Sequence, residues 1–451
     1  MNRGIRRAAA SIAAAAFAAA AVFVGALRYS PVLATYRDVL LVLIGLSMPL
    51  IAWRLSPWRS EPHRTPYWVR MTRLAGFLAA IVALLVTSAV EAQFMTLRHR
   101  VLAASPQSLE RLGRHLVVGM DDIREVRRLI ELKAIAGIFL TRRNIGKRST
   151  DEIRALTNEL QELRAATGLP PLWITADQEG GLVQRLSPPL KRQPPLSRVM
   201  GMHPDPVSQE RAVTAYAAEQ ARGLASLGVN VNFAPVADVD FGIKQSADSY
   251  TRISRRAISP NAGAVAQASA WYCRELVRHG VRCTRKHFPG LGRVHGDTHV
   301  KQATLAARIS ALRVADWLPF AAASRGPEDW IMLGHARVAE LDPSMPASTS
   351  RIVVDVLRKD LGHRGIIITD DFSMGAIRKS PLGIAGAAVG ALSAGVDLVL
   401  VSFDPDQIYT VLGGLLAALD EGSLDQAVLD RSAKRLAATL PIIPIIAVGQ
   451  N

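Results

Sequence analysis

The amino-acid sequence predicts an α/β protein, a (β/α)8 TIM-type barrel preceded by an N-terminal transmembrane helical region. Two observations carry this prediction. Three long apolar runs lie within the first hundred residues, and from residue 110 onward short runs rich in Val and Ile alternate with longer amphipathic stretches. We therefore divide the chain into a membrane region with three transmembrane helices, residues 1–100, and a barrel domain, residues 101–451.

The composition excludes several classes of protein. The 451 residues are 49% apolar and 20% charged, which excludes a disordered polar chain. The two cysteines, Cys273 and Cys283, are too few for a disulfide scaffold or a four-thiolate metal centre. We expect them to be two separate buried thiols rather than a bonded pair.

Three apolar runs form the N-terminal region. Residues 8–27 carry no charge and are long enough to span a bilayer, whereas residues 39–53, with Pro49 inside, and residues 74–90 are shorter. The three arginines before the first run also fit a secretory signal peptide. That run is longer than the apolar core of such a peptide, however, and two further runs follow it. Three membrane spans are therefore predicted, with the lipid bilayer as a partner.

The distribution of arginine predicts how this region crosses the membrane. Residues 1–100 contain 12 arginines and three acidic residues, a net charge of +9 out of +16 for the whole chain. Most of these arginines lie at the N-terminus and in the second loop, namely Arg3, Arg6, Arg7, Arg54, Arg59, Arg64, Arg70 and Arg73. Because cytoplasmic segments are rich in basic residues, three spans would place the barrel on the extracytoplasmic (periplasmic) side of a bacterial inner membrane. If residues 39–53 do not span, the barrel is cytoplasmic.

A basic excess beside apolar runs also argues against nucleic acid as a partner, because a nucleic-acid-binding protein would carry that charge on its folded domain.

Eight candidate strands define the second region. They are residues 115–120, 137–141, 172–176, 229–235, 281–286, 330–334, 365–369 and 397–402. Helical stretches lie between them, at residues 151–167, 209–227, 264–279 and 350–361. Continuous apolar strands that alternate with helices indicate a parallel sheet covered on both faces. The count of eight favours a closed barrel, with an open doubly wound sheet as the alternative.

Polar residues follow five of these strands at the points where the strands end. They are Asp177-Gln178-Glu179, Asn232, Lys286-His287, His335 and Asp370-Asp371. In a barrel these ends share the C-terminal face, where active sites lie. A structural network of ion pairs is the alternative, because buried charges need partners.

Two segments contain groups suited to bond cleavage. Asp370 lies at the tip of an apolar strand, which would hold it rigidly as a nucleophile. Its neighbour Asp371 points the other way and is expected to cap the following helix. In the loop after the fifth strand, Asp297 can orient His299 as a proton donor. A metal site that also uses His295, or a plain surface loop, is the alternative there.

The segment after the third strand suits the binding of a polar ligand. The Asp177 carboxylate can hold two sugar hydroxyls, and Arg185 can hold a carbonyl or another hydroxyl. Gly180 and Gly181 allow the backbone to approach a ligand closely. No G-x-G-x-x-G follows the first strand, so these glycines are not a dinucleotide fingerprint. We expect no cofactor and no metal.

Five motifs together resemble a known family. In order they are Asp177-Gln-Glu-Gly-Gly, Asn232-Phe-Ala-Pro-Val, Lys286-His-Phe-Pro-Gly, Asp297-Thr-His299 and Thr369-Asp-Asp-Phe-Ser-Met374. They resemble the family 3 glycoside hydrolases, in particular the bacterial single-domain β-N-acetylglucosaminidases (β-hexosaminidases) of cell-wall turnover. The resemblance covers residues 110–440, so it makes residues 101–451 the catalytic barrel, and the N-terminal spans lie outside it.

The resemblance implies a retaining exo-β-N-acetylglucosaminidase that removes terminal β-linked N-acetylglucosamine from peptidoglycan fragments through a covalent glycosyl–enzyme intermediate. Asp370 would attack the anomeric carbon. His299, oriented by Asp297, would protonate the leaving oxygen and then activate water. The histidine would take the place of the second carboxylate that glycosidases ordinarily use.

The resemblance also implies the contacts with the sugar. Five side chains would surround it, namely Asp177, Arg185, Arg256, Lys286 and His287. The segment around Arg256 matches loosely, so Arg255 is the alternative. Leu291 stands where this branch usually has a histidine, and Leu182 where a basic residue is common, which leaves the natural glycan open. A β-glycosidase of other sugar specificity and a non-catalytic membrane-anchored glycan-binding barrel are the alternative functions.

Overall fold

The chain separates into two compact units, Met1–Leu102 and Ala103–Asn451. A computed structural model describes residues 3–58, 65–243, 250–322, 326 and 328–439. The first unit is helical, and the second is built around a parallel barrel.

Three long helices make up the first unit. They are α1 (Arg3–Ala26), α2 (Arg37–Leu55) and α3 (Tyr67–Leu102), with a short 3-10 helix, Pro31–Tyr36, before α2. Each contains a stretch that is long and apolar enough to cross a membrane. The predicted runs, including residues 39–53, therefore all lie in helices of sufficient length.

Small side chains let these helices pack closely. A Cβ on Gly76 of α3 would lie 3.0 Å from the Cα of Ala15 in α1, and small residues permit such approach between membrane helices. The buried core of this unit is likewise rich in alanine, namely Ala18, Ala21, Ile44, Met48, Ala80 and Ala83. Large apolar side chains such as Phe23 and Leu46 face outward instead.

Eight parallel strands form a closed barrel in the second unit. They are β1 (Leu116–Gly119), β2 (Gly137–Leu140), β3 (Trp173–Ala176), β4 (Val231–Asn232), β5 (Arg282–Phe288), β6 (Trp330–Leu333), β7 (Ile366–Asp371) and β8 (Leu398–Val401). Each pairs with its neighbours in sequence, and β8 closes on β1 with Leu116 opposite Val399. The predicted barrel is confirmed, and the open sheet is excluded.

Helices cover the outside of the barrel. They are α4 (Pro106–Gly113), α5 (Ile123–Glu131), α6 (Arg142–Ile145), α7 (Thr150–Ala166), α8 (Leu196–Gly201), α9 (Pro206–Ser226), α10 (Ala262–Arg278), α11 (Ile309–Val314), α12 (Leu318–Ala321), α13 (Arg351–Asp355), α14 (Gly375–Arg378), α15 (Gly383–Ala394), α16 (Gln407–Asp420) and α17 (Gln426–Ala438). Local sequence sets their starts, since Ser149 and Glu152 form a capping box for α7 and Asp205 caps α9. The helix predicted at residues 350–361 is α13 followed by a π-helical turn, Val356–Asp360.

Short strands and 3-10 helices lie in the loops between the main elements. The segments Gln178–Gly180 and Val183–Gln184 form an antiparallel hairpin directly after β3. Thr304–Leu305 pairs in parallel with Arg337–Val338. Two further 3-10 helices are Ile253–Arg255 and Ala347–Thr349.

Aromatic side chains fill the barrel interior. The Trp173 and Trp330 rings meet edge to face with centroids 4.8 Å apart, and Phe139 stacks on Phe233 at 5.6 Å. All four are buried within one apolar cluster. The barrel is therefore a packed core rather than a pore, and ligands must bind at its mouth.

The prediction of two separate thiols is wrong. Cys273 of α10 and Cys283 of β5 form a disulfide. The two cysteines are ten positions apart in the sequence. Because α10 packs directly on β5, their Cα atoms lie 5.2 Å apart, which is within the usual range for a disulfide.

Candidate active site

The carboxyl ends of the barrel strands bring the predicted polar residues to one face. Asp177 follows β3, Lys286 lies on β5, His335 follows β6 and Asp370 lies on β7. Each of these groups stands at or just beyond the carboxyl end of its strand, next to the apolar residues that the barrel buries. This face is the one on which barrel enzymes build their sites.

A buried cluster of charges lies between the ends of β3 and β5. The Lys286 Nζ is 2.7 Å from Asp177 Oδ1 and 2.6 Å from Glu179 Oε1. Arg256 clamps the same glutamate, with its Nε and Nη2 at 2.9 and 2.7 Å from the two carboxylate oxygens. Two cations and two carboxylates therefore neutralise each other away from water.

The pKa values of this cluster show how strongly its members interact. Burial raises the pKa of Glu179, but the charges of Arg256 and Lys286 outweigh it and bring that pKa to about 2. Burial likewise works against the charged form of Lys286, yet Asp177 and Glu179 hold its pKa above the ordinary value. The glutamate is anionic and the lysine cationic at every ordinary pH.

Asp370 is an anionic carboxylate at the end of β7. Its side chain is 18% exposed, and its Oδ1 accepts the backbone N–H of Asp371 at 2.8 Å. Burial raises its pKa, but the neighbouring imidazoles of His287, His335 and His299 outweigh burial and hold the pKa below the ordinary value for aspartate. An ionised carboxylate on a rigid strand has the properties of a nucleophile.

Asp371 has a different task from the one predicted. Its carboxylate accepts hydrogen bonds from the backbone N–H groups of Ser373, Ser402 and Phe403 and from the Ser402 hydroxyl. The following helix α14 has no side-chain cap. The predicted cap is therefore wrong, because Asp371 ties β7 to the loop after β8 instead.

His287 lies next to Asp370, and Asp238 binds the far side of its ring. The β5–β6 register shifts between Lys286 and Phe288, a bulge that re-aims the side chain at this point. Asp238 is fully buried, and its Oδ2 lies 2.8 Å from His287 Nδ1. The opposite ring nitrogen, Nε2, is 4.0 Å from Asp370 Oδ2.

The loop after β5 carries a second imidazole–carboxylate pair. His299 Nδ1 is 2.9 Å from Asp297 Oδ1, and the histidine side chain is 40% exposed whereas the aspartate is buried. Asp297 also accepts the Tyr250 N–H and the Thr251 hydroxyl, both at 2.9 Å. Burial raises the pKa of Asp297, but these hydrogen bonds outweigh burial and hold that pKa far below its ordinary value. This pair has the geometry of an oriented proton donor.

Backbone hydrogen bonds attach this loop to the segment that follows Asp370. Gly375 donates its N–H to the His299 carbonyl at 2.8 Å, and Ala376 donates to the Thr298 carbonyl at 3.1 Å. His299 is also among the neighbouring groups that lower the pKa of Asp370. The structure thus brings the Asp297–His299 pair into the same site as Asp370.

The remaining predicted residues differ in how far they are buried. Arg256 belongs to the buried cluster, whereas Arg255 is exposed. Arg185 donates its backbone N–H to the Asp177 carbonyl, and its side chain is exposed at the rim. Leu182 is exposed at the turn of the hairpin, whereas Leu291 is buried and donates its N–H to Asp238.

The side chains of His295, Asp297 and His299 do not come close enough together to form the alternative metal site. Within the described residues, the one cluster of three close metal-ligating side chains is Cys273, Cys283 and Asp329. Its two sulfurs are bonded to each other, and Asp329 forms an ion pair with Arg285 at 2.8 Å.

Sequence reasoning assigned no role to three residues of the site, Glu179, Asp238 and Thr251. Glu179 stands two positions after Asp177, and Asp238 comes soon after the fourth strand, so both obey the strand-end pattern that identified the others. Thr251 offers no comparable signal, because its proximity to Asp297 depends on a loop fold across 46 positions.

A parallel barrel whose mouth carries a carboxylate that can attack carbon and an imidazole–carboxylate pair that can transfer a proton has groups that glycoside hydrolysis can use. Comparison with known families agrees. The family model "Glycosyl hydrolase family 3 N terminal domain" matches residues 108–439, and the chain therefore belongs to glycoside hydrolase family 3 and is a glycoside hydrolase.

Relatives and solved structures point to one branch of this family. A beta-hexosaminidase from Xanthomonas oryzae pv. oryzae is 32% identical over 286 residues, which is 63% of this chain and 81% of that protein. A family 3 glycosyl hydrolase from Mycobacterium smegmatis superposes with a TM-score of 0.66 at 28% identity, covering 76% of this chain and 99% of that one. A beta-N-acetylhexosaminidase from Beutenbergia cavernae gives 0.64 at 28% identity, covering 75% and 99%.

Proposed function

We propose that this protein is a retaining exo-β-N-acetylglucosaminidase that removes terminal β-linked N-acetylglucosamine through a covalent glycosyl–enzyme intermediate. The observation that carries the proposal is the presence, in one barrel mouth, of ionised Asp370 and the Asp297–His299 pair. One group can attack carbon and the other can transfer a proton. The names of the relatives supply the sugar, since they are beta-hexosaminidases.

Two displacements complete the reaction. In the first, an Asp370 oxygen attacks the anomeric carbon, the glycosidic C–O bond breaks, and His299 gives its Nε2 proton to the leaving oxygen. In the second, His299 takes a proton from water, the water oxygen attacks the same carbon, and the bond to Asp370 breaks. The net result is addition of one water with retained configuration. Asp297 orients the imidazole through Nδ1 in both steps.

The remaining predicted residues would hold the sugar. Asp177 and Lys286 reach the mouth from the ends of β3 and β5, and His287 presents its Nε2 beside Asp370. Arg185 on the rim and Arg256 beside Glu179 complete the set. Lysine and histidine supply donors for hydroxyl groups, and the carboxylate supplies acceptors.

We further propose a membrane-anchored enzyme whose barrel lies on the periplasmic side and acts on peptidoglycan fragments. The three apolar helices and the arginine distribution support this topology. The Cys273–Cys283 disulfide supports an oxidising compartment, because disulfides are rare in the bacterial cytosol.

The decisive experiment uses the full chain in detergent with 4-nitrophenyl N-acetyl-β-glucosaminide. The wild type should release nitrophenol, and Asp370→Asn should reduce turnover at least a thousandfold because it removes the nucleophile. A slow substrate, 5-fluoro-N-acetylglucosaminyl fluoride, should leave the wild type covalently labelled at Asp370, as found by peptide mass mapping.

Asp430→Asn is the matched control, since this aspartate lies on the exposed side of α17 with 66% of its side chain accessible. It should retain full turnover. An active Asp370→Asn variant, or a label on another residue, would refute the assignment. If the wild type hydrolyses only other β-glycosides, the enzyme has a different sugar specificity. If it hydrolyses none of them, the protein is a glycan-binding protein.

A further inference from the structure

Thr251 lies at the centre of the proton-transfer group. Its side chain is buried, with 6% of the residue exposed. The hydroxyl Oγ1 is 2.9 Å from Asp297 Oδ1 and 3.3 Å from His299 Nδ1. It therefore touches both members of the pair, although it follows a different strand of the barrel from theirs.

The hydrogen bonds around Asp297 determine where the protons are. Oδ1 faces the Thr251 hydroxyl, the His299 backbone N–H and His299 Nδ1, and Oδ2 faces the Tyr250 N–H. An ionised carboxylate only accepts hydrogen bonds. His299 therefore keeps a proton on Nδ1, and its Nε2 is the atom left for the substrate.

Thr251 is itself fixed by the sugar-binding side of the site. Its carbonyl accepts Arg256 Nη1 at 2.8 Å, and that guanidinium is clamped to buried Glu179. The next residue, Arg252, has φ = +44°, a left-handed conformation that persists only where surrounding contacts impose it. The backbone at Thr251 is thus held by a turn and an ion pair in addition to its contacts with the loop that it supports.

We propose that Thr251 is a positioning residue for the Asp297–His299 pair, which it holds in the orientation that proton donation to the leaving group requires. The proposal rests on the proposed function and adds a residue to its proton-transfer machinery. It predicts a specific kinetic signature. Substrates whose leaving group needs a proton depend on His299, whereas nitrophenol leaves with little help.

The experiment compares kcat/KM for methyl and 4-nitrophenyl N-acetyl-β-glucosaminides in the full chain. A positioned general acid contributes 10²–10⁴-fold, and Thr251→Val should forfeit about tenfold of this with the methyl glycoside and at most about twofold with the nitrophenyl glycoside. Thr251→Ser keeps the hydroxyl and should restore both rates to near the wild type. Thr167→Val is the control and should change neither rate, because Thr167 ends α7 and leads into the start of β3, at the opposite end of the barrel from the mouth.

Each remaining outcome overturns the proposal. Equal losses with both substrates would indicate a general structural role, and unchanged rates would indicate none. A selective loss that serine does not relieve would assign the effect to packing. If Thr251→Val does not fold, Thr251→Ala is measured in its place. If neither variant folds, Thr251 is required for folding and the proposal is wrong. A silent wild type would defeat the proposed function itself, whereas an active wild type with an unaffected Thr251→Val defeats this inference alone.

Discussion

Single residues in this site are held by charge rather than by apolar packing. Glu179 is the clearest case, because its carboxylate joins Lys286 of β5 to Arg256 on the loop after β4. Removing one partner from a buried ion pair costs about 3–5 kcal/mol, since the other charge stays buried without compensation. The stability of the barrel mouth therefore depends on this glutamate.

Glu179→Gln should lower the free energy of unfolding by about 3–5 kcal/mol. The variant keeps the shape of the side chain but leaves the Arg256 guanidinium without its carboxylate. Denaturant unfolding of the full chain in detergent, followed by tryptophan fluorescence, measures the loss. Glu219→Gln is the matched control, because Glu219 pairs with Lys191 at the surface and such pairs contribute within about 1 kcal/mol.

The pH dependence of this difference follows from the lowered pKa of Glu179. A carboxylate with a folded pKa of about 2 and an ordinary pKa of 4.5 stabilises the fold fully above pH 4.5. That contribution is lost as the pH falls towards 2. The gap between wild type and Glu179→Gln should therefore narrow over this range. A constant gap would show that the charge of Glu179 is not what stabilises the mouth.

Residue pairing was the part of the site that the sequence alone could not predict. Asp177, Lys286 and Asp370 were found because each lies at the end of a predicted strand, which is a local pattern. The contact between Glu179 and Arg256 joins residues 77 positions apart. It depends on how two loops fold over the barrel, and no periodicity encodes that.

At the scale of elements, the position of the proton donor depends on how one loop is seated. The loop after β5 contacts the start of α14 through the Gly375 N–H and the His299 carbonyl. A Cβ on Gly375 would lie 2.8 Å from that carbonyl oxygen and closer still to the Val300 backbone. Only glycine permits this approach, so the loop is seated by the absence of a side chain.

Gly375→Ala should therefore displace the loop and lower kcat/KM between about tenfold and a hundredfold, because an ångström of misplacement in an active site has effects of this size. Turnover of 4-nitrophenyl N-acetyl-β-glucosaminide measures the loss, and circular dichroism checks that the barrel is retained. Gly390→Ala is the matched control. Gly390 lies in α15, and the nearest atom to a Cβ there would be 3.7 Å away, which is an ordinary contact distance. Activity should therefore not change. An unaffected Gly375→Ala would show that the contact is incidental.

The elements themselves were largely predictable, for a physical reason. Most barrel strands are buried on both faces, so they appear in the sequence as short apolar runs. The strand β5 departs from this pattern with Arg282, Arg285 and Lys286, but all eight predicted strands are present. The errors concern contacts between elements. The Cys273–Cys283 bond depends on the packing of α10 against β5, and the task of Asp371 depends on the loop after β8.

For the whole molecule, the proposed periplasmic location of the barrel depends on whether α2 spans the membrane. With α2 as a span, the chain crosses three times and the barrel is periplasmic, whereas without it the barrel is cytoplasmic. The disulfide reports independently on the same choice, because Cys273 and Cys283 would stay reduced in the cytosol.

Alkaline phosphatase, which is active only outside the cytoplasm, can be fused to the C-terminus and expressed in a bacterial host. The full chain should give an active fusion, and Cys273 and Cys283 should resist alkylation without prior reduction. Removing residues 37–55 should abolish phosphatase activity and leave both thiols open to alkylation. Replacing the same 19 residues with an unrelated apolar helix should restore both properties, because only the number of crossings matters. An inactive fusion with free thiols in the full chain would place the barrel in the cytoplasm and remove periplasmic peptidoglycan fragments from its reach.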